Sequence, residues 1–191
     1  MNKRVIAALV ALCVGAVGVL GFSLATAGRS YTDTSGSMLP VVGKDAVLHC
    51  VQDGADKLAY GDLVIYRLPS DNKTLWIKMV VGFAGDTVQM KDGVLWINGK
   101  AVPKRSAGEF KHPGPGNKTA MRYEETLPGS MKTFVLDSDP AGMLDNTAAY
   151  SVPAGHIFVI GSNRDDSVDS RMVHSHGPVP AGNVVCKAAV S

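Results

Sequence analysis

Aromatic residues are scarce in this chain, with two Trp, five Tyr and five Phe among 191 residues. No repeat of 33–45 residues is visible, which excludes the common solenoids. Basic and acidic residues nearly balance, 19 against 17, for a net charge of +2. Lys and Arg form no cluster, so nucleic acid is not an expected partner. Beyond the N-terminal region no strongly amphipathic helix stands out, and cysteine is limited to three. Gly (21) and Pro (10) are frequent instead, which favours a loop-rich β domain over a helical bundle.

One long apolar run is present. Residues 5–27 carry no charge and are flanked by Lys3, Arg4 and Arg29. At 1.5 Å per residue a helix of this length crosses the ~30 Å hydrocarbon core. The basic N-terminus places that end in the cytoplasm and the remainder beyond the membrane. The expected organisation is a cytoplasmic tip and transmembrane anchor over residues 1–29, then an extracytoplasmic domain over 30–191. A cleaved leader is the alternative, because Ala25-Thr26-Ala27 has a small-x-small form. In either case Cys50 and Cys186 lie where disulfides persist. They form a disulfide or remain two buried thiols; spacing alone does not choose.

After the run, short apolar stretches alternate with turn residues. Residues 46–51, 63–68, 75–83, 87–90, 94–97, 133–136 and 156–160 read as strands by length and β-branched content. Asp92-Gly93 and Asn98-Gly99 mark tight hairpin turns. Residues 104–120 are expected to form a polar loop without a strand. The fold class is therefore mainly β, with an inserted β/loop region over about 87–155.

The chemistry is expected at Ser37, within Ser35-Gly36-Ser37-Met38-Leu39-Pro40. A serine hydroxyl needs an adjacent base to become a nucleophile. Gly36 permits a tight turn before it and Pro40 restricts the backbone after it. The candidate base is Lys78, in Trp76-Ile77-Lys78-Met79-Val80. Desolvation among apolar neighbours disfavours the ammonium and can bring a lysine toward neutrality near pH 7. The bland reading is a solvent-facing strand lysine.

Two other groupings compete for attention. His174-Ser175-His176 would place two rings on one strand face, a conceivable metal pair without an obvious third ligand, so no metal is expected. The polar stretch from Gly161 to Arg171 alternates Asp with Arg, a pattern that charge-assisted pairs can make rigid.

Taken in order, Ser35-Gly36-Ser37-Met38-Leu39-Pro40, Gly61-Asp62-Leu63-Val64-Ile65-Tyr66, Ile77-Lys78-Met79-Val80-Val81-Gly82-Phe83-Ala84-Gly85-Asp86 and Asn163-Arg164-Asp165-Asp166-Ser167-Val168-Asp169-Ser170-Arg171 resemble the motifs of bacterial type I signal peptidases. That resemblance runs from about residue 30 to the C-terminus. It implies a β-rich catalytic core, Ser37 as nucleophile and Lys78 as general base. It also implies an oxyanion hole from the Ser35 hydroxyl and the Ser37 amide. Ser167 would hydrogen-bond the lysine, with Asp169 and Arg171 as structural supports. Met38 and Pro40 are assigned to substrate binding, and Met38 alternatively to the core or to lipid. Expected partners are preprotein or prepilin substrates and membrane lipid, with no metal, nucleotide or nucleic acid. The expected location is the cytoplasmic membrane, single-pass, with the catalytic domain outside. Met79, Ser162 and Val41 depart from the family's usual arginine, aspartate and threonine.

The resemblance leaves two substrate ranges: removal of leader peptides from exported proteins generally, or maturation of one pilin-like subunit in a conjugation system. A self-cleaving repressor of related chemistry would need a DNA-binding helix pair, which the sequence does not offer.

Overall fold

The computed structural model describes residues 28–113 and 118–191. Its strands are β1 (Ser30–Asp33), β2 (Ala46–Asp53), β3 (Leu63–Arg67), β4 (Leu75–Phe83), β5 (Thr87–Lys91), β6 (Val94–Ile97) and β7 (Lys100–Ala101). They continue with β8 (Lys104–Lys111), β9 (Thr119–Leu127), β10 (Met131–Asp137), β11 (Tyr150–Ser151), β12 (His156–Ile160), β13 (Val179–Pro180) and β14 (Val184–Val190). The only helical pieces among the described residues are two 3-10 turns, Pro128–Ser130 and Ala181–Asn183.

Seven strands make one sheet in the order β1-β2-β14-β3-β4-β12-β13. Strands from residues 87–151 supply two smaller sheets, β11-β5-β6-β7 and β10-β9-β8. In β4 the alternation of side chains explains the apolar run. Ile77, Met79 and Val81 enter one core cluster, while Val80, with Trp76 and Phe83 packed beside it, enters another on the opposite face. A strand covered on both faces reads as continuous hydrophobicity. Gly82 is required within it: a Cβ there would lie 2.8 Å from Val88 Cγ2 and 3.1 Å from Phe158 Cβ.

The hairpin signals hold. Asp92 and Gly93 have φ of 48° and 69°, and Asn98 and Gly99 have 52° and 72°. Two successive positive φ values suit the twist of β5-β6 and β6-β7.

The loop expected over 104–120 is overturned. Most of it is strand, with β8 pairing β9 from Lys104↔Glu125 to Lys111↔Thr119. No residue of β8 is fully buried, so its sequence lacks the alternation that marks a half-buried strand. A bulge between Ser106 and Glu109 contains Gly108 at φ 85° and breaks the period again. Cys50 and Cys186 do form a disulfide, across the neighbouring strands β2 and β14, with Cα atoms 5.6 Å apart. The expected membrane span, residues 5–27, lies outside the described residues. Among those described, no helix is long and apolar enough to cross a membrane.

Candidate active site

Ser37 follows β1 in a turn that Asn163, from the loop after β12, holds down. The Asn163 N–H donates to Ser37 O at 3.0 Å, and Asn163 Nδ2 donates to Gly36 O at 3.0 Å. Met38 and Val42 anchor the far side of the turn in the core, both fully buried. Lys78 comes from the middle of β4, paired with Val64 on β3. Its Nζ donates to Ser37 Oγ at 2.7 Å and to Ile77 O at 3.1 Å. Residues far apart in the chain thus meet because β1 and β4 flank one cleft.

The lysine is only 4% exposed. Burial pulls its pKa down from 10.5 to about 8, against the upward pull of Asp169 and Asp33, while Arg171 lowers it further. That difference moves roughly 3 kcal/mol of preference from ammonium toward amine. The sequence reading asked for neutrality near pH 7; the structure places the midpoint about one unit higher. The Trp76 ring, two residues back on β4, lies 5.3 Å from Nζ and helps to exclude water.

The cleft measures about 400 Å³ and holds Ser35, Ser37 and Lys78 at its polar end. Leu48, Ile65, Leu75, Trp76, Ile77 and Val168 supply its apolar lining, and Tyr31, Thr32, Asp33 and Thr34 line it from β1 and the residue after it. Two strand edges open onto it. β1 is the outermost strand of its sheet and pairs β2 alone. The first half of β4, residues 75–78, pairs β3 on one side, whereas β12 begins to pair only at Met79. Among the described residues, no strand occupies the other side of 75–78.

Ser35 lies beside Ser37, its Oγ 3.0 Å from Ser37 Oγ and accepting from the Ser37 N–H at 3.3 Å. It also donates to Asp33 Oδ1 at 2.8 Å. Behind the site, Asp169 is fully buried and accepts from the Gly161 N–H at 2.9 Å. Arg171 reaches both its oxygens, from Nε and Nη2, at 2.9 Å each. Burial alone would raise the Asp169 carboxyl, but the Arg171 guanidinium and these hydrogen bonds outweigh it and hold it below its usual value. Arg171 Nη2 donates to Arg164 O at 2.7 Å, closing the loop on itself.

Several expectations change. The bond from Ser167 to Lys78 is not made: the lysine's partners are Ser37 and Ile77. Ser167 leans toward Asp169 without a hydrogen bond of normal geometry. Its side chain instead fills the space above Gly161, where any Cβ would collide with it. Met38, expected against substrate, is fully buried and offers no surface to one. Pro40 is half-buried and is not part of the cleft wall. His174 and His176 do not share a strand face, because residues 171–176 form turns. His174 is exposed, while His176 is buried between the Tyr66 hydroxyl at 2.7 Å and Gly177 O at 2.7 Å. Among the described residues, no cluster of metal-ligating side chains occurs.

Asp33 and Glu125 are the residues that sequence reasoning missed. The signal for Asp33 was an acid two positions before Ser35. Glu125 had none, since its partner Arg164 lies 39 residues away.

The family model for "Signal peptidase, peptidase S26" matches residues 4–191. The chain is 34% identical over 134 residues to Signal peptidase I of Rickettsia prowazekii (strain Madrid E). It is 35% identical over 134 residues to that of Rickettsia conorii (strain ATCC VR-613 / Malish 7). Each match covers 67% of this chain and 49% of the relative. The chain thus spans about half the length of the curated relatives it matches. A crystal structure of a signal peptidase I from Enterococcus faecalis V583 superposes with a TM-score of 0.41 at 20% identity, covering 70% of this chain and 98% of that one.

Proposed function

The chain belongs to the signal peptidase family, peptidase S26, and from that membership we propose that it is a membrane-bound serine endopeptidase that removes leader peptides from exported proteins. The observation that carries this reading is the 2.7 Å contact between Lys78 Nζ and Ser37 Oγ, with the amine buried and its pKa brought to about 8.

In the proposed reaction, the neutral fraction of Lys78 takes the Ser37 proton as Oγ attacks the carbonyl carbon of the residue before the cut. A base whose pKa lies near the working pH is suited to that transfer. Ser35 Oγ–H and the Ser37 N–H turn toward the developing oxyanion, which such donors stabilise. The lysinium gives its proton to the leaving amine, and water then hydrolyses the acyl-enzyme. A bound peptide covers the cleft and excludes remaining water, which lowers the lysine pKa further.

The two open strand edges, β1 and residues 75–78 of β4, are suited to receive an extended peptide by main-chain pairing. The apolar cleft then takes small side chains at −1 and −3. The named relatives are signal peptidases I, which favours general leader removal over maturation of a dedicated pilin. In this reading the site works at the outer face of the cytoplasmic membrane, with the apolar run 5–27 of the sequence as its anchor.

The test is incubation of the purified protein with a model preprotein, with the cut mapped by mass spectrometry. Cleavage after a small-x-small site is expected, and Ser37→Ala and Lys78→Ala should each abolish it with the fold intact. Ser35→Ala should lower turnover by roughly 10²–10³ as one oxyanion donor is lost. Full activity in Lys78→Ala refutes the mechanism.

A further inference from the structure

Asp33 ends β1 as a carboxylate that is 7% exposed and lies in the cleft wall. Its Oδ1 accepts from the Ser35 N–H at 2.9 Å and from Ser35 Oγ at 2.8 Å. Ser35 Oγ lies 3.0 Å from Ser37 Oγ, which accepts from Lys78 Nζ at 2.7 Å. A continuous path of polar atoms therefore runs from ammonium to carboxylate. Before a peptide is bound, with Lys78 protonated and Ser37 intact, every hydrogen bond on that path can point one way, from Lys78 through Ser37 and Ser35 to Asp33.

The charges around the lysine single Asp33 out. Asp33 approaches from β1, Asp169 and Arg171 from the loop after β12, and His176 from the turn before β13. Asp169 is already held by Arg171 at both oxygens. Burial lowers the His176 pKa below its ordinary 6.5, which keeps that ring neutral at and above pH 7. Asp33 takes part in none of the salt bridges among the described residues. Its Oδ2 is buried with no hydrogen-bond partner. A buried carboxylate left this way is costly unless an opposite charge answers it.

We propose that Asp33 is a positioning residue of this site, holding Ser35 against Ser37 and serving as counter-charge to the ammonium that Lys78 becomes. The inference rests on the reading of Ser37 as nucleophile and Lys78 as base. In that step the Ser37 O–H bond breaks and an N–H bond forms on Lys78. The Ser37 hydrogen has then left the path and the Ser35 O–H has turned to the oxyanion, so Asp33 answers the new positive charge through space rather than along the hydrogen bonds. The negative charge on Asp33 also raises the lysine midpoint, so Asp33 reduces the neutral fraction of Lys78 at low pH while stabilising the protonated intermediate.

Asp33→Asn in the full chain keeps an acceptor for Ser35 and removes the charge; Asp33→Ser is the smaller variant if the first fails to fold. Two readouts are needed. In an NMR titration of lysine side chains, the Lys78 midpoint should fall by about half a pH unit or more. With a model preprotein, the rising limb of kcat/KM against pH should move to lower pH by the same amount. An unmoved Lys78 midpoint, or a limb that superimposes on the parent's, overturns the proposal. A parent protein that cuts no preprotein would sink the peptidase reading instead, and the titration would still decide the charge pairing.

Discussion

The guanidinium of Arg164 holds both oxygens of Glu125, Nη1 to Oε1 at 3.0 Å and Nη2 to Oε2 at 2.6 Å, with side chains 3% and 0% exposed. The pair ties β9 of the three-stranded sheet to the loop that pins the Ser37 turn. Arg164 Nε also donates to Gly161 O at 3.2 Å, and its N–H to Leu136 O at 2.9 Å. Removing one partner of such a pair leaves the other charge buried and unanswered. Glu125→Ala should therefore lose about 3–5 kcal/mol of stability. Glu125→Leu combined with Arg164→Met should recover most of it. Urea denaturation of the three proteins decides the point, and a single variant as stable as the parent contradicts it.

At Gly161 the loop that carries Ser167 packs directly on the Ser37 turn. A Cβ there would lie 2.7 Å from Ser37 O and collide with the Ser167 side chain. Gly161→Ala must push the Ser37 turn, the Ser167 loop or both. A displacement near 1 Å at a reacting atom can cost on the order of 10²-fold in rate. We expect a loss of that size in the rate of acylation by an active-site probe; an unchanged rate would mean that the loop yields without moving Ser37.

The depressed pKa of Lys78 fixes the sign of two pH effects. With Lys78 as the proposed base the neutral amine is the active form, so kcat/KM should rise with pH and level off above about 8. Stability follows the same group. Between about 8 and 10.5 the unfolded chain holds a proton that the folded chain has released, so stability rises across that window and is lost as pH falls through it. At pH 7 both states are mostly protonated and the buried ammonium costs the fold up to roughly 3 kcal/mol. Lys78→Met should then be inactive yet more stable at pH 7, with a flatter stability profile from pH 8 to 10.5. Guanidinium denaturation at several pH values reads this directly, and a destabilised Lys78→Met would argue against the burial described.

The Cys50–Cys186 bond closes a long loop, the two residues being 136 apart in sequence, and joins β2 to β14 in the main core. Loss of a native disulfide commonly costs about 2–5 kcal/mol. The Cys50→Ser/Cys186→Ser protein should melt well below the parent, and reductant should lower the parent's Tm but not the variant's. Equal melting of both proteins without reductant would show that the strands hold each other unaided.

Strand legibility followed burial. β4, β6 and β12 match their expected bounds, because each carries apolar side chains that must leave water. β8 was lost to the reading because every position is at least partly exposed, so main-chain pairing with β9 forms it without a hydrophobic signature. His174 and His176 show the converse. Their spacing evoked a shared face, yet the chain turns there, and only the buried ring of His176 finds partners, in Tyr66 and Gly177.

What residue order alone determined was local: the period of the strands, the two Gly-containing hairpins, the serine turn and the lysine inside an apolar strand. Each depends on neighbours within a few positions, where sterics and hydrophobic period act directly. Tertiary structure decided how far that lysine is dried, that Ser167 packs over Gly161 rather than bonding the amine, and that Asp33 shares the hydrogen-bond path of Ser37. It also decided that Arg164 answers Glu125, 39 residues away. Those outcomes depend on solvent exclusion and on charges brought together across strands, and neither distance along the chain nor residue type contains them.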